Sequence, residues 1–125
     1  MMQTLGIALM GTGRMAHVYG PKIAAHPGLR LEVVFNPRIA SARKATDLYG
    51  GRPMDDLDAV LADPGVDAVV IATGDNWHGP ATVLAAKAGK DVYCQKPETR
   101  TLREGPLMVE AARRYGRVVS GGSQR

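Results

Sequence analysis

The feature that most constrains the fold is an uncharged run, Thr4–Met10, that ends directly in a glycine turn, Gly11–Ala16. An apolar run of this kind predicts a strand buried on both faces, as in a parallel sheet. A helical pattern follows the turn at once. The turn has the G-x-G-x-x-A spacing, so the segment has the strand–turn–helix order of a dinucleotide-binding fingerprint.

Each small residue of this turn has a physical role in phosphate binding. Gly11 permits a tight turn, Gly13 lets a pyrophosphate approach the backbone, and Ala16 lets the helix pack close to the strand. The first N–H groups of the helix, with its positive dipole end, then face the phosphates. The alternative is a glycine-rich connection that binds nothing, and the order of strand and helix favours a nucleotide site over it.

Strand and helix patterns alternate along the whole chain, which predicts an α/β fold. The further predicted strands are Arg30–Phe35, Arg52–Met54, Val66–Thr73, Asp91–Cys94 and Val118–Ser120. The predicted helices are Met15–His26, Ile39–Tyr49, one that starts within Asp55–Leu61, Pro80–Ala88 and Thr101–Tyr115. This alternation implies right-handed crossovers and a doubly wound, mostly parallel sheet of Rossmann type. We expect residues 1–125 to form a single dinucleotide-binding domain.

Two local patterns carry more specific expectations. In the first helix Val18, Ile23 and Ala24 are the predicted inward positions, and Pro21 is expected to kink the helix or to divide it into two short turns. A loop is predicted over Gly74–Gly79, at the carboxyl end of the clearest strand, with Pro80 as the first residue of the next helix.

Composition excludes several classes of protein. Cys94 is the only cysteine, which rules out an intramolecular disulfide and a cysteine-based metal site and fits a reducing, cytoplasmic compartment. The three histidines lack metal-ligand spacing, so no metal is expected. No signal peptide or membrane-spanning run is seen. The net charge of +4 is spread along the chain and lacks interleaved aromatic residues, so we expect an anionic small ligand and no nucleic acid.

Several motifs together resemble the N-terminal domain of the Gfo/Idh/MocA family, which includes glucose–fructose oxidoreductase and inositol dehydrogenase. They are Gly11–His17, Val66–Thr73, Trp77–His78 and Ala88–Pro97, and the resemblance extends from about Leu5 to Arg125. The combination of the glycine turn with a Lys-Pro pair after a later strand is specific to this family. The resemblance implies a nicotinamide cofactor and a sugar, polyol or related substrate.

The resemblance also implies roles for individual residues. Lys96 matches the family's lysine near the nicotinamide ribose and the substrate, and an ammonium there assists proton transfer. Gln95 replaces the usual acidic neighbour, and Asn76 stands where relatives often carry a histidine. The predicted catalytic residues are Lys96 and His78. The predicted cofactor-binding residues are Gly11, Thr12, Gly13, Arg14, Met15, Asn36, Arg38, Thr73, Asn76, Gln95 and Lys96.

The second predicted strand ends in Asn36, where an acidic residue would hold the adenosine ribose and repel a 2′-phosphate. Asn36 removes that repulsion, and Arg38 adds a cation, with Arg43 and Lys44 on the following helix. This favours NADP over NAD. The alternative is that Asn36-Pro37 merely makes a turn, which leaves NAD equally open.

The resemblance implies a larger α+β domain after the Rossmann domain, which forms the floor of the substrate site. Two hypotheses follow: the cofactor domain of an oxidoreductase, or a stand-alone, non-catalytic nucleotide-binding or scaffolding module. Because hydride transfer needs donor and acceptor carbons held within reacting distance, turnover by this chain alone is left open. The surface that faces such a domain would be apolar, so self-association into a homo-oligomer is expected.

Overall fold

A computed structural model describes residues 4–72, 75–94, 113–117 and 119–121. The strands are β1 (Leu5–Met10), β2 (Leu29–Phe35), β3 (Arg52–Met54), β4 (Ala68–Ile71), β5 (Asp91–Cys94) and β6 (Val119–Gly121). The helices are α1 (Arg14–Ala25), α2 (Ile39–Tyr49), α3 (Leu57–Ala62) and α4 (Asp75–Lys87). Residues 113–115 are also helical, and the rest of the predicted Thr101–Tyr115 helix lies outside the described residues.

The strands form one sheet in the order β3-β2-β1-β4-β5-β6, and every neighbouring pair is parallel. The chain winds outward from β1 to β3, returns through α3 to β4, and winds outward again to β6. This is the strand order of the doubly wound Rossmann fold, and it confirms the predicted fold class. The order reverses between β1 and β4, where the connections leave in opposite directions.

The two faces of the sheet are buried by different helices, so the strands are apolar on both sides. On one face Ala8, Met10 and Phe35 pack with residues of α3 and α4. On the other face Leu9 and Val34 pack against Ala16 of α1 and Ala45 of α2. Neighbouring residues of β1 therefore serve opposite layers, as the uncharged run predicts.

The first helix differs from its predicted form. α1 runs unbroken from Arg14 to Ala25 with Pro21 inside it, so the predicted division is wrong. Gly20 precedes Pro21, and its missing Cβ removes part of the clash that a proline makes with the residue before it. Of the predicted inward residues Ile23 is buried, whereas Val18 and Ala24 are exposed, because the buried stripe follows Ala16, Gly20 and Ile23.

The fourth helix begins at Asp75, which corrects the predicted loop over Gly74–Gly79 and the predicted start at Pro80. Pro80 therefore lies inside α4, and again a glycine, Gly79, precedes it.

The bounds of α2, β3 and β5 agree with the sequence-based ones. At the start of α3 Asp56 is the N-cap, and its side chain accepts hydrogen bonds from the N–H groups of Asp58 and Ala59.

Candidate functional site

The carboxyl ends of the parallel strands meet at one edge of the sheet, and backbone hydrogen bonds continue the ladder just beyond them. The Gly11 N–H donates to Phe35 O at 2.9 Å, and the Ala72 N–H donates to Met10 O at 2.8 Å. The glycine turn is therefore fixed between the ends of β2 and β4. In open α/β sheets ligands bind beyond the carboxyl ends of the strands, where the strand order reverses, and this turn occupies that place.

The backbone of the turn has the features that a phosphate group requires. Gly11 has φ +108°, a backbone conformation that glycine adopts readily and that residues with a Cβ rarely adopt. A Cβ built on Gly13 meets no atom within 4 Å, so open space lies over that residue. Ala16 is fully buried on the side of α1 that packs against Leu9 and Val34 of the sheet. The turn therefore has room and backbone conformation for a pyrophosphate, and the cofactor-binding roles of these residues stay predictions.

The start of α1 leaves its N–H groups available to a ligand. Gly13 is the N-cap residue and provides no side-chain cap, and the first turn of α1 holds no acidic residue. Arg14 and Met15 form this first turn, so their N–H groups lie at the positive end of the helix dipole. An anion bound there would satisfy donors that the described side chains do not.

Asn36 links the glycine turn to the start of α2. Its Nδ2 donates to Thr12 Oγ1 at 2.8 Å, and its Oδ1 accepts from the Arg38 N–H at 2.8 Å. Its own backbone N–H donates to Met54 O at 3.1 Å, at the end of β3. The predicted cofactor residues Thr12, Asn36 and Arg38 therefore lie together. No local pattern predicts the Thr12–Asn36 bond, because it joins two loops that only the β1–β2 pairing brings together.

Charges of both signs lie near Asn36: Asp55-Asp56 follows β3 and is exposed, whereas the residues after Asn36 add cations. Arg38 is exposed at the N-cap of α2, and the first turn of that helix holds no acidic residue. Arg43 and Lys44 are exposed further along α2. These three cations raise the potential at the end of β2, where an acidic side chain would lower it.

The remaining predicted site residues fall on parts of the chain that are not described. Thr73, Gln95 and Lys96 lie outside the described residues. The backbone of Asn76 and His78 belongs to α4, but their side chains, like those of Arg14 and Met15, lie outside the description. The predicted nicotinamide and substrate end of the site therefore stays a prediction.

Charged groups at the opposite edge, near the amino ends of the strands, stabilise the fold and stand apart from the candidate site. Arg52 on β3 pairs with Asp63, which also accepts the Gly65 N–H at 2.8 Å. The Arg52 hydrogen bond, followed by that N–H, holds the pKa of the Asp63 carboxyl below its ordinary value. Lys90 is buried, and its Nζ donates to Asp63 O at 2.9 Å and Val66 O at 2.6 Å. The sequence analysis missed Lys90 as a buried cation.

In the described part of the chain no three or more His, Cys, Asp or Glu side chains are grouped so as to hold a metal ion. Within the same residues, each helix is too short or too polar to cross a bilayer.

The strand order, the glycine turn and the open space over it define a dinucleotide-binding domain of Rossmann type. More specifically, residues 5–123 match the model of an oxidoreductase family with an NAD-binding Rossmann fold, and the chain belongs to this family, Gfo/Idh/MocA. This confirms the resemblance drawn from its motifs.

Individual relatives agree with the family. The chain is 32% identical over 120 residues to scyllo-inositol 2-dehydrogenase (NAD(+)) of Bacillus subtilis, a match covering 94% of this chain and 35% of the relative. The crystal structure of GenD2 from gentamicin A biosynthesis in complex with NAD is 30% identical, with a TM-score of 0.92 over 98% of this chain and 35% of that one.

A more distant structure shows the same fold. KijD10, a 3-ketoreductase from Actinomadura kijaniata crystallised with NADP and TDP-benzene, has a TM-score of 0.90 at 24% identity, over 96% of this chain and 37% of that one. The chain thus spans about a third of the length of these relatives.

Proposed function

We propose that this chain is the cofactor-binding domain of an oxidoreductase that transfers a hydride between a nicotinamide dinucleotide and a sugar, polyol or related substrate. The observation that carries the proposal is the glycine turn. It lies where the strand order reverses, Gly11 holds φ +108°, and the space over Gly13 is open. Membership of an NAD-binding oxidoreductase family supports the same function.

The described residues have distinct roles in this proposal. The backbone of Gly11 and Gly13 and the first N–H groups of α1 bind the pyrophosphate. Asn36 and Arg38 contact the adenosine ribose end. We further propose that the cofactor is NADP, because Arg38 is exposed beside a neutral Asn36 and no carboxylate of α2's first turn repels a 2′-phosphate. One relative is named for NAD and one solved structure holds NADP, so both cofactors occur among similar proteins.

The substrate end of the site rests on the family resemblance. When bound, the nicotinamide ring accepts or donates the hydride at its C4 atom. Lys96 hydrogen-bonds the reacting hydroxyl and, with His78, assists the transfer of its proton as the carbon is oxidised. Thr73, Asn76 and Gln95 surround the ring. Replacing Lys96 by Ala should abolish oxidation of the alcohol and also lower dinucleotide affinity, since the resemblance puts Lys96 near both the nicotinamide ribose and the substrate.

Composition and the family resemblance also suggest the compartment, the binding partners and the association state of the protein. We propose a cytoplasmic protein that binds no nucleic acid, holds no metal and associates with a second copy of itself. The four large apolar side chains most exposed among the described residues lie on four different elements, at Leu5, Val18, Leu48 and Leu84. Light scattering after gel filtration measures the association, and a monomer at high concentration would contradict that part of the proposal.

Calorimetric titration with NADPH and then NADH tests the cofactor. Wild-type chain is expected to bind NADPH more tightly, and Arg38→Ala should weaken NADPH binding about tenfold and leave NADH unchanged, since a charge-assisted hydrogen bond is lost. Arg113→Ala is the matched control, because Arg113 is exposed in the segment that leads into β6, away from the site. Binding of neither dinucleotide at millimolar concentration would refute the proposed function. Equal or tighter binding of NADH would refute the preference for NADP alone.

A further inference from the structure

The side chain of Asn36 has a fixed orientation, which its partners determine. The Arg38 backbone N–H can only donate, so the atom that faces it at 2.8 Å is the carboxamide oxygen. The NH₂ group must then point the other way, and it contacts Thr12 Oγ1 at 2.8 Å. The oxygen of Asn36 is therefore turned toward α2, and its N–H donors are turned toward the glycine turn.

We propose that the Thr12 hydroxyl is a positioning group for cofactor choice: it accepts from Asn36 and holds the NH₂ end of that side chain in place, while the Arg38 N–H fixes the oxygen end. The inference rests on the proposed function, in that it concerns the adenosine ribose end of the same dinucleotide site. It means that Thr12, a residue of the glycine turn, influences the preference between NADP and NAD that is set at the end of β2.

The chemistry of the two cofactors explains why orientation matters. The ribose 2′-hydroxyl of NAD is held best by a group that accepts a hydrogen bond from it. A 2′-phosphate accepts hydrogen bonds and donates almost none at neutral pH. Asn36 turns a donor toward the glycine turn, and Arg38 supplies a cation beside it. The end of β2 therefore offers donors to the ligand, which suits the phosphate of NADP better than the hydroxyl of NAD.

Thr12 contributes because it occupies one Nδ2 hydrogen. Its oxygen accepts from Asn36, so its own hydroxyl proton remains available to a ligand. Removing the hydroxyl leaves the Asn36 side chain held by the Arg38 N–H alone, so the oxygen keeps its partner but the NH₂ end is no longer held against the glycine turn. Loss of the Thr12 hydroxyl should therefore change the ratio of the NADPH and NADH affinities. Any effect common to both cofactors would change the two affinities by the same factor and leave this ratio as it was.

The test measures both dissociation constants for wild-type chain and for Thr12→Val, Thr12→Ser and Asn36→Asp. Thr12→Val has nearly the same shape without the hydroxyl and should lower the preference for NADPH at least about threefold. Thr12→Ser keeps the hydroxyl and should retain the wild-type preference. Asn36→Asp should reverse the preference, because a carboxylate accepts from the Thr12 hydroxyl and repels a phosphate. A Thr12→Val variant with both affinities unchanged, or changed by one common factor, would overturn the inference.

A spectroscopic measurement separates orientation from general damage to the fold. In ¹⁵N-labelled chain the side-chain NH₂ signal of Asn36 should move on addition of NADPH more than on addition of NADH, and Thr12→Val should shift it before ligand is added. An Asn36 signal that ignores both changes would also overturn the inference. If Thr12→Val fails to fold, Thr12→Ala takes its place, with the same expected loss of preference and the same contrast with Thr12→Ser. If wild-type chain binds neither dinucleotide, the proposed function itself is refuted, whereas binding of both with a Thr12-independent ratio refutes only the inference.

Discussion

Lys90 offers the sharpest test of how the amino-terminal edge of the sheet is held together. It precedes β5 and is only 9% exposed, and its ammonium donates to the carbonyl oxygens of Asp63 and Val66. Those carbonyls belong to the turn that joins α3 to β4. The side chain therefore fastens this turn to the start of β5, and we expect Lys90→Met to destabilise the protein strongly.

The magnitude follows from the two hydrogen bonds. Each bond from a charged donor contributes about 1.5–3 kcal/mol, and methionine fills a volume close to that of the lysine stem. Part of this loss is offset, because the wild-type ammonium gives up its hydration when the protein folds and the methionine variant avoids that desolvation cost. The net expectation is a loss of about 2–4 kcal/mol in the free energy of unfolding.

Urea denaturation at neutral pH measures this loss, with a lower midpoint and an unchanged m-value expected. Lys44→Met is the matched control: Lys44 is exposed on α2, so the same change there should stay within about 0.5 kcal/mol. A Lys90→Met variant as stable as the control would refute the reasoning that the ammonium bonds hold the turn.

Three further changes probe packing and charge. Gly20→Ala should lower stability by about 1–3 kcal/mol in urea, since its Cβ would lie 2.6 Å from Tyr49 Cδ2, and an unchanged midpoint would contradict this close approach. Tyr49→Phe should be neutral or up to about 1 kcal/mol stabilising, because the buried Tyr49 hydroxyl finds no hydrogen-bond partner among the described residues; a clear loss in thermal unfolding would show a partner instead. The lowered pKa of Asp63 stabilises the folded state above the unfolded value near 3.8 and ceases to do so as pH falls through the folded value. Asp63→Asn should therefore cost stability at pH near 6 and progressively less below about pH 4, and a pH-independent cost in urea titrations would contradict the Arg52 pairing.

Local patterns predicted those elements whose boundaries depend on nearby residues. The bounds of α2, β3 and β5 agree because a helix or strand pattern there is closed by turn residues such as Gly50 and Gly51. The glycine turn was located for the same reason. Two proline signals gave wrong boundaries: Pro80 was expected to begin a helix and Pro21 to kink or divide one, yet Pro80 lies inside α4 and Pro21 does not divide α1, and a glycine precedes each.

The candidate site was predicted in part. The sequence placed Gly11, Gly13 and Asn36 at strand ends, and the parallel sheet brings those ends to one edge. It gave no means of seeing that Asn36 bonds to Thr12, since the two residues lie on different loops. It also treated Lys90 as part of a family motif only, because burial of a lysine depends on carbonyl groups that come from a distant turn.

The sequence by itself determined the alternation of strands and helices, the glycine turn between β1 and α1, and the presence of a neutral Asn36 followed by a basic Arg38 after β2. These follow from side-chain size, charge and periodicity within short segments. Only the tertiary structure decided the strand order, the orientation of the Asn36 carboxamide and the burial of Lys90. Each of these depends on hydrogen bonds between segments far apart in the chain, whose pairing is set by the packing of the whole sheet.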